Sequence, residues 1–181
     1  KFICNVEQIP FSTKQLCLEK NRNQLNYLQN ELRINYIAPL DARDTKLNPD
    51  CFDLATSTST FEHIPEKDLL LILNETYRIL KPGGILSLVI DYQDHWSYFD
   101  KKLSIYNFLK YSDHEWGKFN PSMHYQNRLR HSDYLKIVSK TNFQVMDVVS
   151  FTASDEEIKS LQNLQINAMF KSHNMNELSL R

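Results

Sequence analysis

Five consecutive hydroxyl side chains, Thr56-Ser57-Thr58-Ser59-Thr60, are followed directly by Phe61-Glu62-His63-Ile64-Pro65. Short hydroxyl side chains let backbone and ligand approach closely, and they can bind an ammonium or a carboxylate. His63 is the nearest group able to take a proton near neutral pH. Three acids stand where other apolar runs stop: Glu7, Asp41 and Asp91. A carboxylate at such a point can accept from both hydroxyls of a ribose. One followed by a small residue, as in Asp41-Ala42, can accept from an exocyclic amine while leaving room for a flat ring. Taken singly, each acid also suits a solvated loop, Asp41 could open an Asx-turn, and the hydroxyls could cap the next helix. Taken together, they favour a nucleoside ligand.

The elements that must position these groups follow from periodicity. "KFICNVE" (1–7) reads as a strand, and Pro10 and Ser12 start a helix through Arg33 with Leu16, Leu25, Leu28 and Leu32 on its apolar face. "INYIAPL" (34–40) and "CFDLAT" (51–56) read as strands. Pro65 opens a helix with Glu66 and Asp68 in its first turn, where acids suit the helix dipole. Leu69, Leu70, Leu73, Tyr77 and Leu80 form its stripe, and Lys81-Pro82-Gly83-Gly84 ends it. "ILSLVID" (85–91) is a continuous apolar run, the pattern of a strand buried on both faces. A helix near 132–141, a strand near 143–151 and a helix at about 154–163 follow. Strands alternating with helices predict an α/β fold, a doubly wound, mostly parallel Rossmann-like sheet whose ligands lie at the carboxyl ends of the strands.

Residues 92–130 break that rhythm and are rich in Tyr, Trp, Phe and His. Because they leave the sheet at Asp91, they are expected to cap its carboxyl edge within a single domain spanning 1–181.

Composition excludes several classes. A net charge of −1 with a pI near 6.7 offers no basic field for nucleic acid or an anionic membrane. No apolar run reaches the ~20 residues of a membrane span. Cys4, Cys17 and Cys51 fit no metal motif, and the six histidines show no HExxH or HxH spacing, so no metal is expected. The thiols suit a reducing, cytoplasmic setting. Gly83, Gly84 and Gly117 are the only glycines, so the chain holds no phosphate-cradling glycine loop.

The stretch from Asp41 to Asp91 closely resembles class I S-adenosylmethionine-dependent methyltransferases of the type 11 kind. Those enzymes show Asp-Ala at a strand end, about a dozen residues to Phe-Asp, then Leu-Glu-His-Ile/Val-Pro and later Lys-Pro-Gly-Gly. Here Asp41 to Asp53 is twelve residues, and Phe61-Glu62-His63-Ile64-Pro65 and Lys81-Pro82-Gly83-Gly84 match in order. The resemblance covers 1–151 apart from 92–130. It implies S-adenosylmethionine as cofactor, with Glu7 and Gln8 at the ribose, Asp41 and Ala42 at the adenine, and Ser57 and Thr58 at the methionine end. The family's first strand and glycine-rich loop are expected just before Lys1, and a further strand after Arg181. His63 is the candidate base. His95, Tyr98, His124, Tyr125 and Arg128 are expected to line the pocket of a small-molecule methyl acceptor, with O-methylation preferred. A non-catalytic methyltransferase-like scaffold is the rival from another class. A nicotinamide-dependent oxidoreductase would share the sheet but not the Phe-Glu-His-Ile-Pro and Lys-Pro-Gly-Gly pattern.

Overall fold

The computed structural model describes residues 21–181. The chain divides into two compact units, residues 1–40 and 41–181.

In the first unit, helix α1 (Asn21–Asn30) lies inside the segment expected to be helical but stops three residues short of Arg33. Arg33 takes a left-handed φ of 57°, and Ile34 N donates to Leu28 O at 2.8 Å, turning the chain out of the helix. Residues 34–40 form no strand, and among the described residues no segment supplies a hydrogen-bonded ladder for them. The strand expected at 1–7 and the start of the helix at Pro10 lie outside the described residues.

The second unit is built on a βαβ segment: β1 (Phe52–Thr58), α2 (Glu66–Ile79) and β2 (Leu80–Val89). β1 and β2 pair in parallel, which requires the crossover that α2 supplies. Phe52 pairs with Leu80, but Leu54 pairs with Ile85, so Lys81–Gly84 bulges out of the ladder. This corrects the reading of Lys-Pro-Gly-Gly as the helix cap. The helix has already ended, with Leu80 extended, and the left-handed residue, Gly83 at φ 79°, belongs to the bulge. At Gly84 a Cβ would meet Lys81 O at 2.9 Å, so the bulge closes only on glycine. β2 is also not buried on both faces as expected. Its residues alternate between exposed and half-buried, because β1 is its only described neighbour in the sheet.

Helix α2 forms where the apolar spacing predicts it. Leu69, Ile72 and Leu73 are buried, and Pro65 is its N-cap. They join Phe61, Tyr92, Tyr134 and Ile137 in a first core cluster, with Leu86 and Leu88 of β2 packed against it. Glu75, on the same helix, accepts from Thr45 N at 2.8 Å and from Arg78 at 2.7 Å, tying the loop before β1 to the helix.

After β2 the chain makes short helices, α3 (Trp96–Phe99) and α4 (Asp113–Trp116), then α5 (His131–Val138), α6 (Asp155–Gln162) and α7 (Met175–Leu178). A second cluster of Tyr106, Phe108, Leu109, Trp116, Leu161, Phe170 and Leu178 gives this region a core of its own. α6 begins at a capping box of Ser154 and Glu157. Residues 143–151 are not the expected strand. Among the described residues their backbone has no ladder partner, and Val145, Met146, Val149 and Phe151 are exposed. No helix among the described residues is long and apolar enough to cross a membrane.

Candidate active site

The hydroxyl run ends β1 and turns the chain. Ser57 and Thr58 are the last residues paired in the ladder. Ser59 then takes a left-handed φ of 47°, and its N still donates to Val89 O at 2.8 Å. Thr60 Oγ1 donates back to Thr58 O at 3.0 Å. None of these residues caps α2, whose N-cap is Pro65. Among the described residues, no hydrogen bond is made by the side chains of Ser57 and Thr58, at the carboxyl end of the strand.

A 3-10 turn, Phe61–His63, comes next. Phe61 anchors it in the first core cluster. Asn127, distant in sequence, holds it from the other side. Its backbone N–H donates to Glu62 O at 2.7 Å, and its Nδ2 donates to both Phe61 O and Ile64 O at 2.9 Å. Tyr134 in turn donates to Asn127 Oδ1 at 3.0 Å. The turn that presents Glu62 and His63 is thus gripped by a saturated amide.

His63 Nδ1 lies 2.7 Å from Tyr125 O. A carbonyl only accepts, so Nδ1 carries the proton and donates. That leaves Nε2 of a neutral ring with a free lone pair. The His95 ring centroid is 4.8 Å from that of His63, and His124 lies 6.3 Å from His95 and 6.5 Å from His63. His95 is placed by Gln126, whose Oε1 accepts from His95 N at 3.1 Å and whose Nε2 donates to Gln93 O at 2.6 Å.

Asp91, just beyond β2, accepts from Gln93 N at 2.9 Å and from the Tyr98 hydroxyl, and its Oδ2 lies 3.3 Å from His95 Nε2. Burial raises the Asp91 carboxyl, but the His95 ring, the Tyr98 hydroxyl and the Gln93 amide together outweigh it and leave the group below its ordinary range. Burial, reinforced by the hydrogen bond to Asp91, pushes the Tyr98 hydroxyl up. Burial also raises Glu62. Both Glu62 oxygens and His124 Nε2 are buried with no hydrogen-bond partner among the described residues, and His95 Nε2 has only the Asp91 carboxylate at 3.3 Å beside it.

The sequence-derived candidates therefore separate. His63, His95, Tyr98 and His124 come together, and Tyr125 joins them through its carbonyl. Arg128 does not. It is buried in its own region, donating to Phe108 O at 3.0 Å, to Tyr111 O and to Asp113 at 2.6 Å, with its guanidinium over Trp116 and Phe170. Its role there is to hold the second core together. Asp41 and Ala42 lie in an exposed loop rather than at a strand end. Arg43 grips the Asp41 carboxylate through Nε at 3.0 Å and Nη2 at 2.8 Å, lowering it to about 2. Glu7 and Gln8 lie outside the described residues. Sequence reasoning passed over Glu62, Gln126 and Asn127. The signal available was the polar stretch Gln126-Asn127-Arg128 inside an aromatic segment, where amides are retained to satisfy backbone groups.

Residues 2–88 match the Methyltransf_11 family, the methyltransferase domain. Among solved structures, a protein of Bacillus halodurans C-125 (BH2331) assigned to the methyltransferases is 19% identical, covers 84% of this chain and has a TM-score of 0.46. The YcgJ protein of Bacillus subtilis is 19% identical, covers 83% of this chain and has a TM-score of 0.47. The chain spans 66% and 59% of the lengths of these two proteins. Comparison with curated proteins found no match. Over residues 2–88 the chain is similar to the methyltransferase domain family.

Proposed function

We propose that the chain serves methyl transfer from S-adenosylmethionine to an oxygen of a small polar molecule, in a cytoplasmic enzyme. The observation that carries this reading is the group of His63, His95 and His124 beside the hydroxyl-lined end of β1, under a polar-aromatic segment that supplies two of the three imidazoles.

The described residues fit part of the cofactor. The free hydroxyls of Ser57 and Thr58 suit its charged amino-acid end, and Asp41 with Ala42 suits its adenine once the Asp41 carboxylate shares its hydrogen bonds between Arg43 and the ring. When bound, the cofactor supplies an electrophilic methyl group. This chain's residues supply position and proton removal. An alcohol is a poor nucleophile until its proton leaves, and His63 Nε2 is poised to take that proton because Nδ1 is committed to the Tyr125 carbonyl. Orientation of acceptor against cofactor contributes up to ~7–11 kcal/mol in such displacements. Tyr98, fixed by Asp91, and Phe99 with Trp96 form the neighbouring wall. Residues 92–130 act in this reading as the cap that chooses the acceptor.

The test uses the full-length protein, with calorimetry for cofactor binding and a labelled methyl group for transfer. His63→Ala is expected to lower transfer by ~100-fold or more with cofactor affinity unchanged. Asp41→Ala is expected to weaken cofactor binding by ~1–3 kcal/mol. Failure of the full-length protein to bind S-adenosylmethionine would favour the scaffold reading instead.

A further inference from the structure

Glu62 is 1% exposed, and neither carboxylate oxygen has a partner among the described residues. His95 is 7% exposed, and its Nε2 has Asp91 Oδ2 beside it at 3.3 Å. Buried polar groups are nearly always satisfied, so the two orphaned Glu62 oxygens call for a ligand that the neighbouring imidazoles can share. One ligand atom from each of Glu62, His63 and His95 lies within 4.8 Å of the others.

We propose that Glu62, His63 and His95 form a binding site for a divalent first-row transition metal, with Zn²⁺ the best match. Two imidazoles and one carboxylate are a borderline donor set, which suits zinc rather than the all-oxygen shells of magnesium or calcium. Ligand atoms about a tetrahedral zinc at ~2.1 Å stand roughly 3.4 Å apart, so the group needs to close by up to about 1.4 Å from the 4.8 Å limit. Side-chain rotation provides that, while the backbone stays fixed. Asn127 holds the carbonyls of Phe61, Glu62 and Ile64, and Gln126 holds the amide of His95. The His63 Nδ1–H bond to the Tyr125 carbonyl is the outer contact that presents Nε2 to a metal and fixes the ring. Asp91 adds a second carboxylate beside His95, 3.3 Å from its Nε2. Three protein ligands leave one position open, and the ring of His124, whose Nε2 has no partner among the described residues, lies 6.3 Å from that of His95.

The site does not rest on the methyl-transfer reading. If both hold, a bound metal would polarise the acceptor oxygen, His63 would be a ligand rather than the base, and His124 would be the imidazole left to take the proton.

The experiment titrates the chelator-treated protein with Zn²⁺ by calorimetry and with Co²⁺ by visible absorption, with no cofactor or acceptor present. One equivalent of each metal is expected, with Co²⁺ giving the d–d bands of a low-coordinate nitrogen–oxygen site. Glu62→Gln and His95→Ala are expected to weaken binding at least about 100-fold. His173→Ala, which alters a separate histidine beside Asp133 and Glu177, is expected to leave it unchanged. If His95→Ala does not fold, Glu62→Gln decides alone. It keeps the shape of the side chain, and without metal its thermal midpoint should equal or exceed that of the parent, because a buried carboxylate has been removed. Absence of stoichiometric binding, binding that survives Glu62→Gln, or binding lost with His173→Ala would each overturn the proposal.

Discussion

In the βαβ segment, Phe52 and Leu54 of β1 and Ile85 and Val89 of β2 are each 41–50% exposed, whereas Tyr106, Leu109 and Leu161 beyond residue 92 are fully buried. The first set has the side chains of a sheet interior and, among the described residues, only one helix and one neighbouring strand to use them on. The second set is enclosed by loops and short helices whose backbone groups are satisfied from within. Arg130 shows how. It is fully buried, donates to the carbonyls of Tyr92, Leu178 and Leu180, and lies over the rings of Tyr92 and Phe108. Burial lowers its guanidinium to about 10. Irregular chain can be packed as tightly as a sheet, provided that amides and guanidinia replace the ladder as partners for the carbonyls. The candidate site sits where the two arrangements meet, with Glu62 and His63 from the first and His95 and His124 from the second.

That contrast can be broken most directly at Arg130. Arg130→Ala removes a buried side chain and orphans three carbonyls, and is expected to destabilise the protein by about 3 kcal/mol or more in denaturant unfolding. A loss below about 1 kcal/mol would mean that the irregular region does not depend on its guanidinium. Asn127→Ala comes next. It frees the carbonyls of Phe61 and Ile64 and the Tyr134 hydroxyl, and should cost about 2 kcal/mol. Because the Glu62–His63 turn is released, Zn²⁺ binding should weaken as well, and unchanged metal affinity would show that the turn holds itself.

The third prediction concerns pH in the βαβ segment. Arg78, helped by Thr45, holds the Glu75 carboxyl down to about 2, against burial. The stabilisation is therefore fully present above about pH 4.5 and is lost as pH falls toward 2. Thermal midpoints of the parent and Glu75→Gln should converge over that window. Parallel curves would remove Glu75 from the acid response. The smallest effect is expected on the exposed strand faces, where Leu54→Thr should shift stability by less than about 0.5 kcal/mol. A larger loss would show that this face is covered in solution.

Local pattern carried much of the fold. The apolar spacing of residues 66–79 placed α2, because a helix buries one stripe whatever it packs against. The run before the hydroxyls placed β1, and α6 falls within the helix expected at about 154–163. The readings that failed share one cause. Residues 34–40 and 143–151 have strand-like composition, yet a strand exists only where another chain accepts its hydrogen bonds. Lys81–Gly84 looked like a helix stop, but the pairing register of β2 against β1 turned it into a bulge.

His63 was legible as a candidate from the turn that carries it, and the Asp41-to-Gly84 pattern matched a methyltransferase domain. Local spacing and side-chain type determined that much, since both act over a few residues. The meeting of His63 with His95 and His124, the placing of Arg128 in a core, and the burial of the Glu62 carboxylate with no hydrogen-bond partner among the described residues were decided only by tertiary structure. Each depends on contacts between segments far apart in the chain, and on Asn127 and Gln126 satisfying backbone groups that no local pattern shows to be unsatisfied.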